Sequence, residues 1–328
     1  MIPLQRRTLI GQALAATALT LAGWAPPAAA ADWAPTKTVR IVVPIVGSTN
    51  DVLARLVAPE LQKALGQTVI VENKGGAGGT IGANEVAKSA PDGHTLLVGF
   101  NGPIAINPTL FAKMPYDAVK DLAPITLAVS SPQFLALNPT VPAKDVKELV
   151  ALSKQRKMSY ASVSPGSASH LTMEMLKSAS GMDITHVPYK GAGPAVIDLI
   201  GGQVDAAFLV PGNIAQFVQE GKAKVIATSG SKRFRSMPNV PTLIEQGYPG
   251  FVAVSWIGFL AAGGTPKPII DRYNKEIVKI LRTPGITQQL EKIEFEVVAG
   301  TPEQFASWIQ AEIPRWGKII KDNGIKAE

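Results

Sequence analysis

The first half of the chain alternates between short apolar runs and longer segments with helical spacing. The run VRIVV at 39–43 predicts a strand, and apolar residues recurring every three or four positions predict a helix over 51–65. Pro59 lies inside this helix, so we expect the helix to kink or shorten there. Gly66 is expected to be its C-cap, because glycine readily adopts the left-handed conformation that ends helices.

The same alternation continues after the first helix. Strands are predicted over 68–71 and 95–100, with the glycine-rich loop 75–79 and a helix over 81–89 between them. Strands that alternate with helices pair in parallel through right-handed crossovers. The sequence therefore predicts a parallel sheet covered by helices.

A second strand–helix alternation begins near residue 158. Its predicted elements are strands over 158–161, 184–187, 204–210 and 224–228 and helices over 166–180 and 194–200. This restart predicts a second α/β sheet.

The C-terminal part of the chain is predicted to be helical, over 268–281 and 302–320. Thr301 and Gln304 form a capping box around Pro302, which suits the first helical position. These helices have no complete sheet of their own, so we expect them to pack on the first sheet. That predicts three segments: a signal peptide at 1–31, a discontinuous first domain at 32–132 and 251–328, and an inserted domain at 133–250.

Composition supports two well-packed domains. The chain has 328 residues, of which 46% are hydrophobic and 17% charged. It has no cysteine, and its three histidines lack metal-ligand spacing, so we expect neither disulfides nor a metal site. Neither the glycine loop near 75–82 nor any other segment has a nucleotide-binding fingerprint, and we expect no cofactor.

The first thirty-one residues have the layout of a signal peptide. Arg6 and Arg7 precede an apolar stretch over 8–24, and the alanines at 28–31 offer cleavage sites before Ala31 or Asp32. The adjacent arginines leave both the general secretory and the twin-arginine route open. No later stretch is long and apolar enough for a span, so we expect a periplasmic chain that does not insert into the membrane.

The distribution of charge argues against nucleic acid as a partner. The formal net charge is +7, which becomes 7 − 2 = +5 once Arg6 and Arg7 are removed with the leader. The remaining basic residues are scattered, and we expect no nucleic-acid binding. A mild positive field favours the approach of anions.

Polar loops follow five of the predicted strands. They are rich in Gly, Ser, Thr and Asn and lie at 47–51, 75–80, 101–103, 162–169 and 190–193. The carboxyl ends of parallel strands are where α/β folds bind ligands, and helix N-termini there favour anions. The loops therefore predict a polar cleft. His170 follows several serines, but the nucleophile motif G-x-S-x-G is missing, so we expect no catalytic residue and no enzyme.

Several segments together resemble the Bug-type solute receptors of tripartite tricarboxylate transporters, a TctC-like family, from about residue 37 to the C-terminus. The matching segments are 39–44, DVLARL at 51–56, VENKGGAGG at 71–79, APDGHTLL at 90–97, INP at 106–108, HVPYKG at 186–191, GGQVD at 201–205 and PNVPT at 238–242.

This resemblance implies an α/β, two-lobed periplasmic-binding-protein fold of the Venus-flytrap, type II-like kind. A ligand carboxylate would lie in the cleft between the lobes, held by backbone amides, hydroxyls and waters. The ligand-binding positions implied are Gly47, Ser48, Thr49, Asp51, Gly78, Gly79, Thr80 and Asn101 in one lobe, and Ser162, Gly166, Ser167, Ser169, His170, Tyr189 and Lys190 in the other.

The resemblance also implies a monomeric receptor that delivers a small organic carboxylate to integral membrane permease subunits. Two alternatives stay open: a receptor that serves a sensor kinase, and a secreted enzyme acting on a small acid. Many family members carry an acidic residue after the phenylalanine that Phe208 matches, whereas Leu209 follows here. If this position faces the cleft, an acid without an α-amino group is the expected ligand, since a buried ammonium needs a partner. The alternative is that Leu209 is core and that Asp51 or Asp205 serves an amine instead.

Overall fold

The computed structural model describes residues 33–45 and 48–326. The predicted signal peptide at 1–31 and the predicted site residue Gly47 lie outside these ranges. Within them, the structure contains no helix with the length and apolar character that a membrane span requires.

The described residues form eleven strands and ten α-helices. The strands are β1 Val39–Val43, β2 Val69–Asn73, β3 Thr95–Phe100, β4 Leu122–Pro132, β5 Phe134–Leu137, β6 Ser159–Ser162, β7 Thr185–Pro188, β8 Ala206–Leu209, β9 Lys224–Thr228, β10 Val254–Ala262 and β11 Glu296–Val297. The helices are α1 Thr49–Leu65, α2 Thr80–Ala87, α3 Asn107–Leu110, α4 Val146–Ser153, α5 Ala168–Ser180, α6 Ala192–Ile200, α7 Pro211–Gln219, α8 Lys267–Leu281, α9 Pro284–Lys292 and α10 Pro302–Asp322.

Six strands form the first sheet in the order β11-β4-β10-β3-β1-β2. Strands β1, β2 and β3 are parallel, as the sequence predicts, but β10 runs antiparallel to both β3 and β4. The expectation of a purely parallel sheet is therefore wrong. The reason is that β10 returns from the second sheet and enters the first one from the opposite direction.

The helices of the first half and of the C-terminus cover this sheet. Helices α8 and α10 both pack on β4, which confirms that the C-terminal helices complete the first sheet. The capping box of Thr301 and Gln304 forms as predicted, and Gly66 ends α1 with φ 67°. Pro59 does not shorten α1, because it lies on the exposed side of a helix that continues to Leu65.

Five strands form the second sheet in the order β7-β6-β8-β5-β9. Strands β6, β7 and β8 are parallel, while β5 is antiparallel to β8 and β9. Like the first sheet it is mixed, because the strand that arrives from the other sheet enters in the reverse direction.

The chain passes between the sheets twice, at Gln133 and again between β9 and β10. One apolar cluster contains buried residues of both sheets, Leu97 and Phe208 among them. The domain boundaries at 132/133 and 250/251 remain a prediction, because a shared cluster does not mark where one domain ends.

A buried serine joins the two crossings. The Ser229 hydroxyl accepts a hydrogen bond from Gln133 N at 2.9 Å and donates one to Ala253 O. The Ser229 backbone repeats the link, since its N–H donates to Gln133 O and its carbonyl accepts from Ala253 N, each at 2.9 Å. Ser229 is fully buried. The two connecting segments are therefore fixed to each other through one residue.

We predict that Ser229→Ala lowers the free energy of unfolding by about 2 kcal/mol or more, because buried polar groups at both crossings lose a partner. Chemical denaturation measures this loss. Hydrogen exchange should also show faster exchange of the amide of Gln133, which loses the Ser229 hydroxyl as its acceptor.

Ser153→Ala is the matched control, since it removes another buried hydroxyl, one that donates to Val150 O within its own helix. It should leave exchange at the crossings unchanged. Retained protection of the Gln133 amide in Ser229→Ala would contradict the prediction.

Candidate functional site

The loops after β1, β2 and β3 lie at one edge of the first sheet, because these strands are parallel. α1 and α2 begin at this edge, and a short π-helix over Gly102–Ile106 follows β3. Within the described residues, no side chain caps the N-terminus of α1 or α2. Both helices therefore direct backbone N–H groups and the positive end of their dipole toward this edge.

The first loop enters α1 through Ser48. Its hydroxyl donates to Ile45 O at 2.9 Å, and Thr49 begins the helix. Asp51 in the first turn accepts two 3.1 Å hydrogen bonds from Arg55 Nε. Its carboxylate is thus already paired within the helix.

The second loop adopts an unusual backbone conformation. Gly78 and Gly79 have φ values of 60° and 91°, a region that favours glycine. A Cβ at Gly79 would lie 2.9 Å from Phe100 Cε1, so only glycine fits there. Thr80 follows, is buried, and accepts a 2.9 Å hydrogen bond from Asn107 Nδ2.

Asn101 holds the third loop against the strand that returns from the second sheet. Its Nδ2 donates to Val254 O and its Oδ1 accepts from Trp256 N, both at 3.0 Å. Both polar atoms of a residue predicted to contact ligand are thus used by β10. Ligand contact by Asn101 stays a prediction, whereas the link to β10 was not foreseen.

In the second sheet, the loop after β6 is organised by its own serines. Ser167 caps α5 by accepting from His170 N at 3.3 Å, and it donates to Ser164 O at 2.6 Å. Ser169 Oγ accepts from Val163 N at 3.0 Å. These bonds give the loop one defined shape without any ligand.

His170 stacks on His186 beneath this loop, with ring centroids 3.8 Å apart. His170 Nδ1 accepts a 3.0 Å hydrogen bond from Gly166 N, and His186 Nε2 lies 2.7 Å from Ser162 Oγ. Tyr160 packs beside both imidazoles, with its ring centroid 5.0 Å from that of His186 and 6.3 Å from that of His170. The rings of His170, His186 and Tyr160 therefore form one cluster, and its two histidines contact the loop.

Burial, followed by the charge of His186, lowers the pKa of His170 to about 4. Glu174 opposes this change in pKa and Lys177 adds to it. Glu174 itself accepts hydrogen bonds from Tyr160 OH at 2.6 Å and Lys177 Nζ at 2.8 Å. His170 is consequently a neutral hydrogen-bond acceptor at neutral pH.

The last two predicted residues follow β7. Tyr189 OH donates to Asp198 at 2.6 Å, and burial together with this carboxylate raises the pKa of Tyr189 to about 12. The side chain of Lys190 is exposed. α6 begins just beyond, at Ala192, and its N-cap Gly191 has a φ of 116°.

The two loop-bearing edges face each other. A Cβ at Gly166, in the second sheet's loop, would lie 2.1 Å from Leu110 Cδ2 in α3. On the other side, a Cβ at Gly212 would lie 3.2 Å from Ile293 O. Of the predicted residues, Gly166 therefore packs directly against the other lobe, and the placement of the rest at this interface stays a prediction.

Leu209 lies in the second sheet's apolar cluster with Phe134 and Ala161, and only 2% of it is exposed. Leu209 is therefore part of the core and does not face the cleft. A ligand ammonium thus has no carboxylate at this position, and an acidic residue there would have to be buried.

Sequence reasoning missed three residues that organise these loops: His186, Tyr160 and Asn107. His186 and Asn107 stand in the HVPYKG and INP segments that carry the family resemblance, which was the available signal. Tyr160 carried no such signal in the sequence, because a buried tyrosine in a strand is a common core residue.

Comparison with known proteins assigns this chain to one family. A family model described as "Tripartite tricarboxylate transporter family receptor" matches residues 53–325. BugT of Bordetella pertussis (strain Tohama I) is 36% identical over 312 residues, which cover 94% of this chain and 95% of that protein.

Two solved structures are similar over nearly the whole chain. A protein of R. palustris with adipate shares 34% identity at a TM-score of 0.79, covering 90% of this chain and 99% of its own. MatC from Rhodopseudomonas palustris with bound malate shares 35% sequence identity at a TM-score of 0.74, and the match covers 87% of this chain and 99% of MatC. The two-lobed periplasmic-binding-protein fold is thereby confirmed.

The low pKa of His170 predicts acid sensitivity. The unfolded chain binds a proton near the ordinary value of 6.5, whereas the folded chain binds it only near 4. Stability is therefore full above pH 6.5 and falls as the pH drops toward 4, by on the order of 3 kcal/mol in total.

His170→Gln should flatten this part of the pH profile, because the amide does not titrate and its oxygen still accepts from Gly166 N. Denaturation at several pH values measures the difference between the two proteins. The comparison at pH 8 is the control, since His170 is neutral there whether folded or unfolded. Parallel profiles from pH 8 to 4 would refute the prediction.

Proposed function

The chain belongs to the receptor family of tripartite tricarboxylate transporters, and from this premise we propose that it captures a small organic carboxylate in the periplasm and delivers it to membrane permease subunits. The observation that carries the proposal is the meeting of two loop-bearing sheet edges, where Gly166 lies on Leu110. The similar structures with adipate and malate support a carboxylate as ligand.

The chemistry of these edges suits an anion. α1, α2 and α6 all begin there, and no side chain among the described residues caps their N-termini. A micromolar dissociation constant requires about 8 kcal/mol. Hydrogen bonds to a charged group contribute roughly 1.5–3 kcal/mol each, so four or five to one carboxylate suffice after association costs.

We propose further that the ligand lacks an α-amino group. Leu209 is part of the core, so the ligand class depends instead on whether Asp51 or Asp205 can accept an ammonium. Asp51 is paired with Arg55, and Asp205 accepts from Arg156 NH2 at 2.7 Å and Ser159 N at 2.8 Å. An amino acid would therefore bury its ammonium without a partner or break one of these pairs.

The proposal includes two lobes, 32–132 with 251–328 and 133–250, that close on the ligand by bending at the crossings. Hinge closure of this kind is common among periplasmic receptors. The change of sheet at Gln133 and between β9 and β10 supports these boundaries.

Isothermal titration calorimetry with succinate, malate, adipate, citrate, benzoate, aspartate and glutamate tests the function. We expect at least one acid without an amino group to bind with a micromolar or lower dissociation constant. Aspartate and glutamate should bind at least about tenfold more weakly, which corresponds to about 1.4 kcal/mol. Tightest binding of an amino acid would refute the ligand class, and no binding by any acid would refute the function.

A matched pair of glycine variants tests the site. Gly166 and Gly181 have φ values of 68° and 67°, so alanine imposes similar backbone strain at both. In the described structure nothing lies within 4 Å of a Cβ at Gly181, whereas one at Gly166 meets Leu110. Gly166→Ala should weaken carboxylate binding about tenfold, and Gly181→Ala should leave it unchanged. Equal affinities would place the site elsewhere.

Export is a separate part of the proposal. The leader at 1–31 should be cleaved, so the periplasmic protein should begin at Ala31 or Asp32. Intact-mass measurement of protein from a periplasmic fraction checks this. Mass corresponding to residues 1–328 would contradict the proposed export.

A further inference from the structure

The loop between β2 and α2 contains four consecutive residues with positive φ. They are Gly76 at 124°, Ala77 at 46°, Gly78 at 60° and Gly79 at 91°. Three are glycines, but Ala77 has a side chain that disfavours this conformation. Such a run persists only where the surrounding structure fixes it, and strain of this kind is concentrated at ligand clamps and active sites.

The side chain of Asn107 bonds to this run of residues. Asn107 Nδ2 donates to Gly78 O at 3.2 Å and to Thr80 Oγ1 at 2.9 Å, so it joins the middle of the run to the first residue of α2. A Cβ at Gly78 would lie only 3.3 Å from Asn107 Nδ2, so the amide packs directly against the backbone.

A buried tyrosine completes the support. Tyr116 OH donates to Pro103 O at 2.6 Å in the π-helix that leads to Asn107. Burial raises the pKa of Tyr116, and a hydrogen bond with Thr80 partly offsets the rise. Thr80 is thereby held by two buried groups from the segment that follows β3.

We propose that Asn107 is the positioning residue that holds the loop at 76–80 in its ligand-binding shape. Asn107 is only 3% exposed and its side-chain amide donates two hydrogen bonds to the loop, so it acts on the ligand through the loop. The inference rests on the proposed carboxylate-binding function, in which Gly78, Gly79 and Thr80 border the cleft.

Asn138 provides a matched control. It is 4% exposed, and its Nδ2 likewise donates to two acceptors, Leu199 O at 2.8 Å and Ile200 O at 3.2 Å. It follows β5 in the second sheet, at the end away from Gln133. Its Oδ1 also accepts hydrogen bonds from Thr140 N at 3.0 Å and Thr140 Oγ1 at 2.6 Å, so its loss removes both donated bonds and two accepted ones from a place that no predicted ligand residue contacts.

The experiment compares Asn107→Ala and Asn138→Ala by hydrogen exchange of the ligand-free proteins and by calorimetry with succinate, malate and adipate. Both variants should lower the melting temperature. Only Asn107→Ala should speed exchange of the amides at 76–81, by about tenfold or more, and raise the dissociation constant about tenfold.

Unchanged exchange at 76–81 in Asn107→Ala would overturn the inference, as would an equal loss of affinity in Asn138→Ala. If Asn107→Ala does not fold, Asn107→Asp gives the same comparison, because it keeps the shape and removes both donors. Failure of the wild-type protein to bind any acid would refute the proposed function instead, while exchange in the ligand-free proteins still decides whether Asn107 fixes the loop.

Discussion

The hydrogen bonds of Ser229 are the constraint on which the arrangement of the two sheets depends. One buried residue bonds to both connecting segments, through its hydroxyl and through its backbone. Both segments are thus fixed to each other at a single point, which is where the proposed closure of the lobes would bend the chain. In the proposed closure, bending at this point would keep the two loop-bearing edges facing each other.

Each predicted set of ligand-binding loops is bonded to these crossings. Gln133 Nε2 donates to Thr172 Oγ1 at 2.9 Å, which connects the first crossing to the helix that begins with the His170 turn. Asn101 bonds to Val254 and Trp256, just after the second crossing. Buried polar bonds thus run from either lobe's loops to the residues beside Ser229. Because such bonds are costly to leave unmade, bending at the crossings and rearrangement of the loops are energetically coupled.

Sequence patterns correctly predicted those structural features that depend on residues close together in the chain. The strands from β1 to β3, the glycine C-cap at Gly66 and the capping box at Thr301 all form as expected, because each depends on neighbours within a few residues. The long strands β4 and β10 were missed, since their main partners are each other, more than a hundred residues apart. The direction of β10 follows from where the chain returns, and no local pattern encodes that.

The site shows the same division. The glycine and serine loops were predictable as loops, since positive φ and helix caps select those residues. What Asn101 and Leu209 contact was not predictable, because both orientations are set by packing against distant segments. A polar residue after a strand looks like a ligand contact in sequence, yet here the amide of Asn101 is occupied by a strand some 150 residues away in the chain.

Electrostatics explain why geometry matters so much in this receptor. The histidine beneath the second lobe's loop is neutral at neutral pH, and Asp51 and Arg55 already neutralise each other. Recognition of an anion then depends on backbone amides, hydroxyls and helix dipoles, each of which is weak and directional. Many weak donors bind tightly only if all are placed before the ligand arrives, because ordering them afterwards would cost most of their contribution. The strained run at 76–79, fixed by Asn107, and the serine network around Ser167 therefore serve one requirement of the proposed function, which is that the donors of each lobe are in place before the ligand arrives.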